Sequence, residues 1–293
     1  MNYFKNIFKT EKQKNIKSIS RIIREFYNQY PFPDFDMNKY NYVQDLNEHS
    51  KWFFKLLDQY IPNNSKIADV GCGTGQFSCF LGAKGRDVYA FDFSEESIDK
   101  AKQLKNKLKL DNVKFEKKDL FELNIPDNSF DYTFCLGVLH HTPEPYRGYK
   151  NLVRITKHKG YIVIVTINPF GRLYLKFRRL ILKYLIKSSQ QIKNYFTKKH
   201  MGQDENDNFK LISWYYNLYE IPYESNHTIG EVMKWLKTNK VSYINSFPPI
   251  ELFKKTFYSD YPQFQPNPFK KDLNKYFDFL GFSRVLKRNY LAD

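Results

Sequence analysis

Nowhere does the chain run for the ~18 to 20 apolar residues that a membrane-spanning helix requires, so no bilayer span is expected. Cysteine is scarce. Cys72, Cys79 and Cys135 are the full set, odd in number and placed among apolar neighbours. That argues against a disulfide framework and fits a reducing compartment. The basic N-terminal stretch lacks the uninterrupted apolar core of a signal peptide, so the expectation is a soluble, cytoplasmic protein. Internal repeats and low-complexity tracts are missing as well. One further absence is local: from Pro145 to Gln203 there is no Asp or Glu, while the same stretch carries 14 Lys or Arg. The net charge of the whole chain is +16, so nearly all of it belongs to this one fifth. A Lys-rich composition explains the lysines but not the missing acids, which points to a basic surface.

What is present is enough for a core. With 293 residues, 42% of them apolar, the chain has room for one large α/β domain with insertions or two small domains. Its middle alternates strand and helix signals. "KIADV" (66–70), "DVYAFDF" (87–93), "NVKFEKKD" (112–119), "SFDYTFCLGV" (129–138) and "GYIVIVTIN" (160–168) read as strands. Between them, 75–85 and 94–108 read as helices, the second opening on Ser94 as N-cap with Glu95 and Glu96 in its first turn. "PYRGYKNLVRITK" carries Tyr149, Leu152, Val153 and Ile155 at helical spacing. Such βαβ repetition predicts a parallel sheet with helices on both faces, and a ligand beyond the carboxyl ends of the strands.

The first strand leads into "IADVGCGTGQFS", where Gly71, Gly73 and Gly75 follow a G-x-G-x-G pattern. Glycines here permit a tight turn and close approach to a ligand at the N-terminus of the next helix. Gln76 stands where a nicotinamide or flavin fingerprint would have its last glycine, and no G-K-[ST] phosphate loop follows. A plain βα turn is the alternative. The second strand ends in Asp92, placed to hold both hydroxyls of a ribose, and the third in Asp119, an acid with apolar neighbours suited to adenine.

In this order of motifs the sequence resembles the class I S-adenosylmethionine-dependent methyltransferases, in particular the bacterial group with D-V-G-C-G-T-G and V-L-H-H-T motifs. The resemblance covers roughly residues 60 to 168. It implies a Rossmann-like seven-stranded sheet in three α/β/α layers, with S-adenosylmethionine as methyl donor and S-adenosylhomocysteine as product. The glycine segment with Asp69, Gly71, Cys72, Gly73 and Gln76 would then pass under the methionine part of the cofactor. Asp92 would bind the ribose, Phe93 would lie against the adenine, and Asp119 with Leu120 would bound it. The backbone around Leu136 would hold the amino group. The sequence departs from the family at "KHKGY" (157–161), where only Gly160 stands in place of a frequent double glycine.

"GVLHHTPEP" (137–145) raises a separate question. His140 and His141 are consecutive, so they diverge in most backbone conformations, and no Cys or His lies nearby at ligand spacing. A metal site is not expected. Both histidines are candidates for the acceptor pocket, with His141, further from the strand, as the preferred base. A base matters only where the acceptor must lose a proton. A strand-end histidine bound to backbone is the other reading.

Four segments result: a helical cap (1–60), the cofactor-binding core (61–168), a basic helical lid inserted after the fifth strand (169–240), and C-terminal strands that complete the sheet (241–293). In the cap, Ile22, Ile23, Phe26 and Tyr30 share helical spacing until Pro31 and Pro33 stop the helix, and Tyr27, Tyr30 and Asp34 are contact candidates. In the lid, Leu173, Phe177, Leu180, Ile181 and Tyr184 share one helical face, beside a stripe of Arg172, Lys176, Arg179, Lys183 and Lys187. This basic amphipathic helix suits packing or a lipid interface. Tyr223, Glu224 and His227 in "YESNHT" are further acceptor candidates, His227 alternatively as a helix-start residue. The expected function is methyl transfer by direct displacement to a small or lipid-like, anionic acceptor. Contact of the 172–199 stretch with a membrane surface or RNA, an RNA acceptor, and a catalytically silent cofactor-binding scaffold are the alternatives.

Overall fold

In the computed structural model, residues 2–49, 52–170, 172–184, 208–247 and 283–288 are described. The strands are β1 (Lys66–Val70), β2 (Asp87–Asp92), β3 (Val113–Lys117), β4 (Phe130–Leu136), β5 (Thr156–Val165), β6 (Val241–Phe247) and β7 (Ser283–Arg288). They form one sheet in the order β3-β2-β1-β4-β5-β7-β6. The pairs from β3 across to β5 are all parallel, whereas β7 runs antiparallel to both β5 and β6. The sheet reverses its order at β1, between β2 and β4, and that is the switch point where an open α/β sheet binds its ligand.

Strand residues alternate between two cores because successive side chains leave opposite faces. Ile67, Val88, Ala90 and Phe134 pack with Phe77, Phe80 and Leu81 of α4 (Gln76–Gly82) and with Ile98, Ala101 and Leu104 of α5 (Glu95–Lys107). On the other face Ala68, Val70, Cys135, Ile162 and Ile164 pack with α6 (Pro145–Ile155) and with Val232, Trp235 and Leu236 of α9 (Ile229–Thr238). The expected N-cap of α5 is present: the Ser94 side chain accepts from Ser97 N–H. Strand β5 begins four residues earlier than expected, directly after α6, and Lys159 takes a left-handed conformation (φ 61°) in the stretch with the single glycine.

The cap is α1 (Asn2–Gln29) followed by two short helices, α2 (Val43–His49) and α3 (Trp52–Asp58). Arg86, 2% exposed, fastens α3 to the sheet by bonding Asp58 Oδ1 (2.5 Å) and the carbonyls of Asp58 and Ile61. Within α1 the apolar face differs from the expected one: Ile23 is buried but Ile22 is exposed, since neighbours on a helix diverge by ~100°. Helices α7 (Leu173–Tyr184) and α8 (Asn208–Tyr215) follow β5, and α8 runs on as a π-helical turn, Tyr216–Glu220.

Three residues of the expected apolar face of α7 turn outward, and the Ile181 and Tyr184 side chains lie outside the described residues. Leu173, Phe177 and Leu180 are 59%, 61% and 55% exposed, while Leu175 and Arg178 are buried. Arg172 and Arg179 turn inward. The expected basic stripe is thus split, with Lys176 outward and the two arginines engaged by Glu224; the Lys183 side chain and Lys187 lie outside the described residues. Among the described residues no helix is long and apolar enough to cross a membrane.

Candidate active site

The glycine loop is shaped by positive φ at Gly71 (77°), Gly73 (54°) and Gly75 (81°). A Cβ at Gly71 would lie 2.2 Å from Val138 Cγ2, and one at Gly75 would run into Ala101 and Phe115. Directly below the loop, Asp69 is buried and accepts from Ser78 Oγ–H at 2.6 Å. Burial pushes its carboxyl up to about 7, against the opposing Ser78 bond. Asp69 thus ties β1 to α4 through one carboxylate oxygen. Cys72 is buried, and burial raises its thiol pKa further. The Gln76 amide donates to the Tyr40 hydroxyl of the cap, so Gln76 ties cap to core.

Asp92, 8% exposed, ends β2. Its Oδ2 accepts from Gly73 N–H and its Oδ1 from Ser94 N–H, both at 2.9 Å. Burial raises its pKa and these backbone bonds oppose the rise. Each carboxylate oxygen has a second lone pair, so two more donors can be accepted. Phe93 follows at once, with Tyr27 of α1 6.2 Å away between ring centroids and the Arg24 guanidinium 5.7 Å over its face. Asp119 uses Oδ1 to cap the 3₁₀ turn Leu120–Glu122 through Phe121 N–H, and its Oδ2 accepts from Arg24 at 3.2 Å. Arg24 was not among the sequence candidates. It lies 95 positions from Asp119, and only the fold brings the two together. Leu120 is buried against Gly148, and Leu136 is half-buried at the end of β4.

His140 and His141 form a 3₁₀ turn after β4 and both are buried. His141 Nδ1 lies 3.2 Å from the Tyr223 carbonyl. A carbonyl can only accept, so Nδ1 carries the proton and Nε2 keeps its lone pair. Burial pulls the pKa of His141 down to about 4, and that of His140 well below the ordinary value. The Tyr27 ring meets His141 edge-on at 6.1 Å, and its hydroxyl donates to Asn217 Oδ1. Tyr30 stacks on Tyr216 at 3.7 Å, which makes it a packing contact between cap and lid. His227 has both ring nitrogens engaged, by Ser225 Oγ at 2.8 Å and Glu231 Oε1 at 3.1 Å, and its N–H donates to Ile167 O. These bonds fix it at the start of α9. Thr228 is the cap of α9.

Glu224 joins the lid to this cluster. Its Oε2 lies 3.0 Å from Arg172 and 3.3 Å from Arg179. A separate depression of about 300 Å³, lined by Asn64, Asp131, His158 and Lys159, lies at the opposite ends of the strands and shares no residue with the cluster. Among the described residues no three His, Cys, Asp or Glu side chains are grouped as a metal would need.

A glycine loop after β1, a buried acid at the end of β2 and a capped acid after β3 define the site of a class I methyltransferase. A family model described as "Methyltransferase domain" matches residues 61–240, and the chain belongs to that family, which uses S-adenosylmethionine. It is 34% identical over 122 residues to a ubiquinone biosynthesis O-methyltransferase of Coxiella burnetii, covering 41% of this chain and 52% of that protein. It is 30% identical over 168 residues to a demethylmenaquinone methyltransferase of Geobacillus stearothermophilus, covering 53% and 71%. The chain thus spans about half the length of the first of these. Among solved structures, the magnesium protoporphyrin IX methyltransferase of Synechocystis with bound S-adenosylhomocysteine is 18% identical, with TM-score 0.48 over 84% of this chain and 81% of that one.

The residues present fit the cofactor. The loop has no room for side chains at Gly71 and Gly73, and Asp92 retains lone pairs at the strand end. Asp92 and Phe93 would hold the nucleoside, with Asp119 and Leu120 beyond it and the Gly71–Gly75 loop under the methionine part.

Proposed function

We propose that this protein transfers a methyl group from S-adenosylmethionine to a hydroxyl of a small quinol- or phenol-type acceptor, with His141 as the base. The cofactor supplies an activated sulfonium methyl, so the protein has to align the acceptor, exclude water and remove one proton. Cap residues Tyr27 and Tyr30 close over the cofactor end of the sheet and keep water out. The observation that carries the reading is the fixed tautomer of His141, whose Nε2 lone pair remains while Nδ1 is held by Tyr223. The names of the two relatives above support a quinone-type acceptor.

The test is transfer of a labelled methyl group to 3,4-dihydroxybenzaldehyde, followed across pH. Because the folded pKa of His141 is lowered to about 4, the acid limb of kcat/KM is expected near 4 and not near 6.5. The His141→Gln variant should lose about 10²- to 10⁴-fold in kcat with cofactor affinity unchanged. Full activity of that variant would remove the base role. Stability follows the same sign. Between pH 6.5 and about 4 the unfolded chain binds a proton that native His141 refuses, so stability falls as pH drops through this window.

The outward face of α7 favours a second role, contact with an anionic lipid surface. Leu173, Phe177 and Leu180 stand exposed within a stretch that has 14 basic residues and no acid. Wild-type protein should sediment with vesicles containing phosphatidylserine more than with neutral phosphatidylcholine vesicles. Joint Phe177→Glu and Leu180→Glu substitution should weaken this at least about tenfold, since each side chain contributes about 1.5–3 kcal/mol when buried. Equal sedimentation of variant and wild type would refute the contact. The inward turn of Arg172 and Arg179 leaves fewer cations for RNA phosphates.

A further inference from the structure

Polar atoms that are buried and lack a hydrogen-bond partner are rare in folded proteins, and each calls for an explanation. Here Arg172 Nε, Asn168 Nδ2, His140 Nδ1, Glu224 Oε1 and Asn226 Oδ1 are in that condition. The five come from three short segments: the turn after β4, the connection from β5 into α7, and residues 223–228. Those segments are pinned to one another. Ser225 N–H donates to His140 O (2.7 Å), His227 N–H to Ile167 O (2.7 Å), and Arg172 to Glu224 (3.0 Å).

Charge adds a second observation. Arg172 and Arg179 both address Glu224 Oε2, so two guanidiniums meet one carboxylate and one positive charge is left over. The Glu224 and Arg172 side chains are 5% and 16% exposed, which makes an unmatched charge there costly. The unused donors are a guanidinium N–H and an amide N–H; the unused acceptors include a carboxylate oxygen. Donors with surplus positive charge suit a carboxylate, and a guanidinium edge matches its planar oxygens. An unused carboxylate oxygen suits a hydroxyl donor.

We propose that the acceptor is a hydroxy acid: its carboxylate is received by Arg172 and Asn168, and its hydroxyl lies on the Glu224 and His141 side. This rests on the reading of the cluster as the acceptor pocket. Arg172 is then a specificity residue. Glu224 is the counter-ion that holds the two guanidiniums when no acceptor is bound.

The experiment is calorimetric titration of the full chain, saturated with S-adenosylhomocysteine, with 3,4-dihydroxybenzoate and with its neutral counterpart 3,4-dihydroxybenzamide. Wild type should prefer the benzoate about tenfold or more, as a charged hydrogen bond implies. Arg172→Gln should abolish that preference while S-adenosylhomocysteine affinity stays as in wild type. Glu224→Gln should act in the other direction and tighten benzoate about fivefold or more, because it releases the guanidiniums while keeping the side-chain shape. This variant tests the idea even if Arg172→Gln fails to fold. Equal affinity for the two probes in wild type, or a preference unchanged in both variants, overturns the proposal. Loss of S-adenosylhomocysteine binding in wild type would instead refute the methyltransferase reading, and the two failures are read in separate titrations.

Discussion

Asp92→Ala should weaken S-adenosylhomocysteine binding by about 100-fold or more. The carboxylate is buried at the end of β2, and its remaining lone pairs would accept from ribose hydroxyls. A hydrogen bond to a charged group contributes about 1.5–3 kcal/mol, and two of them lie within reach. The substitution has a second cost in the free protein, because Gly73 N–H and Ser94 N–H lose their acceptor and the glycine loop loses its tie to β2. Calorimetry with a parallel melting curve separates these effects. Asp92→Asn should melt closer to wild type, since one amide oxygen still accepts, yet should bind the cofactor poorly. A Kd for Asp92→Ala within about threefold of wild type would mean that the nucleoside is held elsewhere.

The second large effect is expected at Gly73. Its φ of 54° already costs an alanine about 1–2 kcal/mol. A Cβ there would also stand 2.1 Å from the carbonyl oxygen of Phe32, a backbone atom of the cap that cannot rotate away. The same corner is tied by Thr74 Oγ1–H donating to Pro33 O at 2.5 Å. Gly73→Ala should therefore push the cap off the loop, lower Tm by about 4 °C or more, and open the Phe32–Pro33 region to limited proteolysis. Gly85→Ala is the control. Gly85 has φ 82° but nothing within 4 Å of a new Cβ, so it loses only the conformational part. Equal Tm losses in the two variants would show that the cap does not bear on the loop.

The two predictions probe parts of the site that differ in how far they could be read from the amino-acid order. The loop, Asp92 and Asp119 lie at the ends of successive strands. Any chain with these βαβ periods brings strand ends to one edge, so the meeting of these residues at that edge was legible before any coordinates. Ser94 as a helix cap was legible too, since a cap depends on residues three positions apart. Asp69 and Gln76 lie in the same motif, yet they bond Ser78 and Tyr40. A motif gives positions along a loop, not the direction in which each side chain turns.

Helix α7 shows where local pattern stops. Periodicity marks α7 as having an apolar face and a basic stripe, but a moment has no knowledge of which side meets the core. Here Glu224, 52 positions after Arg172, draws two arginines inward and leaves Leu173, Phe177 and Leu180 facing out. The histidines follow the same rule. Their place after β4 is set by the sequence, whereas the tautomer of His141 is set by a carbonyl 82 positions away, and the Arg24 contact with Asp119 spans 95. The sequence by itself determined the βαβ order, the glycine loop, the strand-end acids and the cap of α5, because each depends on neighbours a few residues apart. Only the tertiary structure decided which arginines are buried, which histidine nitrogen is left with a lone pair, and what closes over the loop, because those depend on groups that meet through packing alone.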